Sequence, residues 1–223
     1  MKIRFLGQSG YILKSGNTEI IIDPYLSDSV NRVAGRPRAL PIPINPEDIS
    51  CDAVICTHNH LDHTDPETLE RMFSKHSDIC ILASYNAWQT ARKFGGDNNY
   101  IMFNRGTVWT EKGIKFEAVY AEHSDDKAVG VIISYGGRNY YITGDTLYNK
   151  RVINDINIPV DVVFLPINGV GNNMNMTDAA HFAEEIKAKT AVPIHFGKFE
   201  SLNADDFNLK NRVIPEIYKE IKL

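Results

Sequence analysis

The seven residues from Thr57 to His63 constrain this chain more than any other feature. They place three imidazoles and one carboxylate in the pattern H-x-H-x-D-H. The apolar run 53–56 leads directly into them, which predicts a buried strand that ends in a loop dense in metal ligands. Neutral imidazole and carboxylate suit Zn²⁺, Fe and Mn²⁺. The pattern therefore predicts a metal-dependent enzyme, first of all a hydrolase with two metal ions. The four candidate ligands are His58, His60, Asp62 and His63.

Three further candidate ligands stand elsewhere in the chain, each just after an apolar run that predicts a strand. They are His123, Asp145 and His195. Gly144 permits a tight turn before the aspartate. Because side chains at strand ends can gather at one edge of a sheet, we expect all seven ligands to converge there. The two remaining histidines, His76 and His181, fall in predicted helices and are expected to be solvated or structural.

The elements follow from hydrophobic periodicity and turn residues. Predicted strands cover 2–6, 10–14, 18–22, 53–57, 79–83, 99–103, 107–110, 114–121, 128–135, 138–143, 160–165 and 191–195. Predicted helices cover 65–75, 84–94, 149–155, a segment capped by Thr177 and ending near Lys187, and an amphipathic terminal segment at 213–222. The stretch 25–48 carries several prolines and no period, so it is predicted to be a long surface loop.

Strands dominate each half of the chain and helices come late in each half. This arrangement predicts an α+β fold with two packed sheets and helices outside. The chain has 223 residues and no linker rich in glycine or serine, so we predict a single domain spanning residues 1–223.

Composition bounds the cellular context. No apolar run approaches the 18 residues that would be needed to cross a membrane, and the N-terminus resembles a strand rather than a signal peptide. Three cysteines cannot all pair within the chain, which favours free thiols in a reducing cytoplasm. The formal net charge of −4 gives no general attraction to nucleic acid. We therefore expect a cytoplasmic protein with a small-molecule substrate and no membrane partner. The oligomeric state stays open, a homo-oligomer included.

The order of the candidate ligands resembles that of the metallo-β-lactamase superfamily. Several flanking motifs are also similar to those of the L-ascorbate-6-phosphate lactonase group. They are FLGQSGY at 5–11, IDPYLSD at 22–28, HNHLDH at 58–63, TGDT at 143–146, LPING at 165–169 and NMTDAA at 175–180. The resemblance extends over nearly the whole chain, to about Phe199.

The resemblance implies a four-layer αββα sandwich with the metal site at one edge of the two sheets. It assigns one ion to His58, His60 and His123, and the other to Asp62, His63 and His195. Asp145 would bridge the two ions, and with Asp62 it is a candidate catalytic residue. Two divalent ions, Zn²⁺ first and Mn²⁺ second, would then support a metal-bridging hydroxide that attacks a small, anionic ester or lactone.

Residues around the ligands have two interpretations each. Asp23, Thr57 and Thr146 could orient ligand side chains, although an Asp-Pro pair is also common in turns. Asn168, Asn172 and Asn173 could line a pocket or lie in a solvated loop. Arg32, Arg36 and Arg38 suit an anionic substrate, although charge also keeps a loop soluble. The candidate substrate-binding residues are therefore Arg32, Arg36, Arg38 and Asn168.

Three other classes of protein remain in view. A phosphodiesterase or RNA-processing nuclease of the same superfamily is the alternative enzyme, and the negative net charge argues weakly against it. Di-iron redox relatives commonly carry a glutamate at the position of His60, and a flavin domain often follows. A non-catalytic binding module would be expected to have lost a ligand, whereas all seven positions are occupied here.

Overall fold

The computed structural model describes residues 1–196 and 202–223, and the expected end of the resemblance at Phe199 lies outside them. The strands are β1 (Lys2–Gly7), β2 (Gly10–Ser15), β3 (Thr18–Ile22), β4 (Ala53–Cys56), β5 (Cys80–Ala83), β6 (Asn99–Met102), β7 (Val108–Glu111), β8 (Ile114–Tyr120), β9 (Val129–Tyr135), β10 (Arg138–Ile142), β11 (Val162–Pro166) and β12 (Thr190–Ile194). The helices are α1 (Ser29–Ala34), α2 (Pro66–Lys75), α3 (Tyr85–Ala91), α4 (Lys150–Asn154) and α5 (Met176–Glu185). Two six-stranded mixed sheets with helices confirm the predicted α+β class.

The described residues divide into two compact units. The first comprises residues 1–103 and 216–221, and its sheet runs β1-β2-β3-β4-β5-β6. Strands β1 to β3 pair antiparallel, and β3 to β6 pair parallel. Strands β1, β3 and β4 therefore point the same way and end at one edge of the sheet. Gln8, Asp23 and Thr57 stand directly after these three strands.

The second unit comprises residues 104–196, 202–215 and 222–223, and its sheet runs β12-β11-β10-β9-β8-β7. Strands β10 to β12 pair parallel, whereas β7 to β10 pair antiparallel. Strands β8, β10 and β12 therefore share one direction. His123, Asp145 and His195 follow these strands, so one edge of the sheet carries all three. The prediction of a single domain over residues 1–223 stays a prediction.

Helices α2 and α5 begin where a side chain accepts from one of their first N–H groups. The side chain of Asp65 accepts from the backbone N of Thr68, and Pro66 occupies the first turn of α2. Helix α5 begins after Asn175, whose side chain accepts from the backbone N of Asp178 at 2.9 Å. The prediction that Thr177 caps this helix was wrong, because Asn175 does so.

Two further predictions fail. The stretch 25–48 is not all loop, since it contains α1 and a 3₁₀ turn at Pro46–Asp48. Residues 213–222 form no helix. Tyr218 has a left-handed φ of 58°, its backbone N donates to the carbonyl of Phe5, and the N of Ile221 donates to the carbonyl of Ile3. Apolar residues spaced as in a helix cover the edge of β1 instead. Among the described helices, none is both long enough and apolar enough to cross a membrane.

Candidate metal centre

The first donor cluster consists of His58, His60, Asp62 and His63 in the loop after β4. Nε2 of His58 lies 3.1 Å from Nδ1 of His60. Two nitrogen donors on one tetrahedral Zn²⁺ lie about 3.3 Å apart, because each Zn–N bond is about 2.0–2.1 Å long. The two imidazoles therefore already have the spacing of ligands that share an ion. Backbone N–H groups of His63 and Thr64 both donate to the carbonyl of His60, which keeps the loop compact.

Asp23 fixes the orientation of two histidines of this cluster. Its Oδ2 accepts from Nδ1 of His63 at 2.8 Å and from the hydroxyl of Thr57 at 2.6 Å. The same hydroxyl lies 3.1 Å from Nδ1 of His58, from which it can accept, since its own proton goes to Asp23. Both imidazoles then carry their proton on Nδ1 and present Nε2 as the donor atom for a metal. The structure supports the orienting interpretation of Asp23 over a plain turn.

The second donor cluster consists of His123, Asp145 and His195. Oδ2 of Asp145 lies 3.1 Å from Nε2 of His195 and 4.0 Å from Nε2 of His123. Nδ1 of His123 donates to the carbonyl of Asn172 at 3.1 Å, which again leaves Nε2 as the metal-binding atom. Gly144 has a φ of 61°, as the tight turn requires. The three side chains are nearly inaccessible, and imidazole with carboxylate is the donor set that a divalent metal prefers.

Two contacts to the carboxylates were not assigned from the sequence. Nε2 of Gln8 donates to Oδ2 of Asp62 at 2.9 Å, and Nδ2 of Asn173 donates to Oδ2 of Asp145 at 2.9 Å. Both amides are buried. Asn173 was a candidate only for lining a pocket, and Gln8 only formed part of a motif. Their position after strand ends was the available signal, whereas the pairing depends on backbone turns that periodicity does not reveal.

The remaining candidates have varied surroundings. Thr146 accepts from the backbone N of Glu122 at 2.9 Å and so links the segments that carry His123 and Asp145. Asn168 lies in a short bridge opposite Asn175. The prediction that these residues act at the site stays a prediction.

The three arginines of the stretch 25–48 differ in environment. Arg32 pairs with Glu67. Arg38 stacks on the ring of Tyr25 and donates to the carbonyls of Tyr25 and Leu40, and partial burial lowers its pKa. Arg36 is exposed. Arg38 therefore stabilises its own loop, and its role in substrate binding stays a prediction.

No cysteine belongs to a candidate metal-binding group within the described residues. All three are free thiols, and Cys56 is buried at the end of β4. Burial raises the pKa of the Cys56 thiol far above its ordinary value and raises that of Cys51 to about 12. In the part of the chain that the structure describes, the groups of side chains that could hold a metal ion contain only histidine and aspartate.

Comparison with known proteins identifies the class. A family model described as "Beta-lactamase superfamily domain" matches residues 18–196. The chain therefore belongs to this superfamily and is a metal-dependent hydrolase of the metallo-β-lactamase fold. A UPF0173 metal-dependent hydrolase of Pyrococcus abyssi is 30% identical over 223 residues, which cover 96% of this chain and 92% of that protein. This likeness shows, more particularly, that the chain belongs to the UPF0173 metal-dependent hydrolases.

Other similar proteins point to the same family or fold. A UPF0173 metal-dependent hydrolase of Thermococcus kodakarensis is 29% identical, and the alignment covers 96% of this chain and 92% of that protein. The crystal structure of an isothiocyanate hydrolase from Delia radicum gut bacteria has a TM-score of 0.80 at 18% identity, covering 100% of this chain and 99% of that one. A metallo hydrolase of Ignicoccus hospitalis has a TM-score of 0.77 at 22% identity, covering 98% and 96%. These two likenesses support the fold.

Proposed function

We propose that the protein hydrolyses a small, anionic ester or lactone at a centre of two divalent metal ions. One ion would be held by His58, His60 and His123, and the other by Asp62, His63 and His195, with Asp145 bridging. The observation that carries the proposal is the 3.1 Å spacing of Nε2 of His58 and Nδ1 of His60 in a loop whose histidines are oriented by Asp23. Zn²⁺ is our first assignment and Mn²⁺ the second.

The geometry of Asp145 supports a bridging role. Its Oδ2 lies 3.1 Å from Nε2 of His195 and 4.0 Å from Nε2 of His123, two donors that we assign to different ions. Asn173 donates to Oδ2 and fixes the rotation of the carboxylate. Buried residues of the chain, Asn173 and Asp23 among them, thus orient the donor side chains. When bound, the ions lower the pKa of water towards ~7 and polarise the acceptor oxygen of the substrate.

The assignment to a lactone or ester follows the motifs shared with the L-ascorbate-6-phosphate lactonase group. An anionic substrate also suits the arginines of the stretch 25–48, of which exposed Arg36 is the one we expect to reach a ligand. We place the enzyme in the cytoplasm, where free cysteines persist.

Elemental analysis of protein purified without added metal tests the centre. We expect about two equivalents of metal per chain. A screen of lactones, phosphoesters and cyclic nucleotides then tests the substrate class, with lactone turnover expected and abolished in Asp62→Ala. His181→Ala, at an exposed position of helix α5, is the matched control and should keep full activity. Full activity in a His58→Ala, His60→Ala double variant would exclude the proposed centre. Turnover of phosphodiesters without turnover of lactones would show that the proposed substrate class is wrong.

A further inference from the structure

Gln8 occupies a backbone position that glutamine rarely takes. It lies in the two-residue turn between β1 and β2 and has a left-handed φ of 55°. Gly or Asn ordinarily fills such a position, because a side chain there costs about 1–2 kcal/mol. The turn cannot easily shift, since a Cβ on Gly10 would lie 3.1 Å from the carbonyl oxygen of Asp23. Because strained backbone is found most often at functional sites, the side chain of Gln8 is expected to have a functional role.

The side chain of Gln8 is 3% exposed and reaches the first donor cluster. Its Nε2 donates to Oδ2 of Asp62 at 2.9 Å. The amide is neutral and permanently a donor here, so it fixes the rotation of the carboxylate without competing for a metal. Gln8 thereby fixes Oδ2 of Asp62, the oxygen that lies 3.8 Å from Nε2 of His63, much as Asp23 fixes Nδ1 of His63.

Left-handed backbone recurs around both proposed ions. Gln8 and His195 have φ values of 55° and 59°, and Asn172, whose carbonyl accepts from His123, has a φ of 62°. The assignment of Gln8 to one ion therefore rests on its contact with Asp62 and not on the distribution of strain.

We propose that Gln8 is a positioning residue for Asp62 and sets the affinity of the second ion while leaving the first unaffected. This inference rests on the proposed two-metal centre. Removal of a hydrogen-bond partner behind a metal ligand typically costs about 10–100-fold in affinity. The loss should appear in one of two binding steps, because Asp62, the donor that Gln8 contacts, is assigned to one ion.

Two variants separate this role from simple filling of a turn. Gln8→Gly removes the amide and relieves the left-handed strain, so the metal-free protein should unfold at the same or a higher temperature. Gln8→Met removes the donor but keeps the strain and most of the buried volume. The matched control is Lys112→Gly, at an exposed left-handed position (φ 46°) in the turn between β7 and β8, which should change neither binding step.

The test is a Zn²⁺ titration against a chromogenic chelator, paired with thermal unfolding of the metal-free proteins. We expect both Gln8 variants to weaken one binding step by about 10–100-fold and to change the other by less than about twofold. Equal weakening of both steps, or of neither, would overturn the inference while the wild type still bound two ions. A wild type that took up no metal would instead overturn the proposed function, and this inference with it.

Discussion

The carboxylate of Asp23 accepts a hydrogen bond from Nδ1 of His63 at 2.8 Å, and both side chains are fully buried. The same carboxylate reaches His58 through the hydroxyl of Thr57. One residue at the end of β3 thus sets the tautomers of two histidines at the end of β4. In the proposed centre these histidines belong to different ions, so Asp23 couples the two metal sites.

Asp23→Asn should weaken both metal-binding steps. The amide nitrogen that replaces Oδ2 would face two groups that donate, so the imidazoles would have to change tautomer or rotate. We expect a loss of about 10–100-fold in Zn²⁺ affinity at each step, measured by chelator competition. Asp52→Asn is the control, since Oδ2 of Asp52 accepts the backbone N–H of Glu19 and the residue stands before β4, at the opposite end of the strand from the candidate ligands. An unchanged affinity in Asp23→Asn would contradict the orienting role.

Asn173→Ala should weaken metal binding through Asp145. The amide of Asn173 donates to Oδ2 of that carboxylate, and its loss frees the carboxylate to rotate. We expect about a tenfold loss in affinity by the same titration. The neighbouring Asn172→Gly is the matched control. Asn172 contacts His123 through its backbone carbonyl and has a left-handed φ of 62°, so glycine should preserve the contact. Equal losses in the two variants would count against the side-chain contact.

Arg105→Ala should lower stability at neutral pH but not in acid. The guanidinium of Arg105 binds Asp155 and, together with the backbone N–H of Tyr120, holds the pKa of that carboxyl below its ordinary value. A lowered pKa stabilises the fold above the unfolded value of about 3.9, and this contribution is lost as pH falls through the folded value. The pair is solvent-screened, so we expect at most about 1 kcal/mol at pH 7.

Urea unfolding at a series of pH values measures this difference. The curves of wild type and Arg105→Ala should converge as pH falls below about 4, because the carboxyl then becomes protonated in both. Arg105→Lys keeps the charge and should lie between them at pH 7. A constant difference across the whole pH range would mean that packing on Tyr120, not the ion pair, carries the effect.

A chain that stops at Pro215 should be markedly less stable. It would lose the backbone bonds from Tyr218 to Phe5 and from Ile221 to Ile3, together with the burial of Ile221. Two hydrogen bonds and one buried isoleucine together contribute about 2–5 kcal/mol. Urea midpoints measure the loss, with a chain ending at Ile221 as the control. An unchanged midpoint would show that the edge of β1 does not need this cover.

The candidate metal ligands could be recognised because their signal is local. His58, His60, Asp62 and His63 lie within six positions, and the three other candidates each follow a run of apolar residues. Strand positions were also recoverable, since alternation and turn residues mark them directly. Gln8 and Asn173 could not be assigned, because each acts on a residue far along the chain through a turn of unusual backbone. Such pairings depend on strand direction and register.

The terminal segment shows how a local pattern can mislead. Ile214, Ile217, Tyr218 and Ile221 have helical spacing, yet the segment forms isolated bridges and a turn instead of a helix. Two bonds to the free edge of β1 and the left-handed backbone at Tyr218 outweigh a short helix, which is marginal on its own. Helix α1 was missed for the opposite reason, since a single helical turn and a half leaves almost no periodic signal.

The segments after β12 also matter for biogenesis. Residues 211–213 pair with β12, and residues 217–221 cover β1. One edge strand of each sheet is therefore covered by residues that are translated after all the described strands. A nascent chain therefore exposes two unsatisfied strand borders on the ribosome until these residues emerge. Such borders invite pairing with other chains. Slowed translation of the codons for residues 211–221 should prolong the interval in which this protein depends on chaperones.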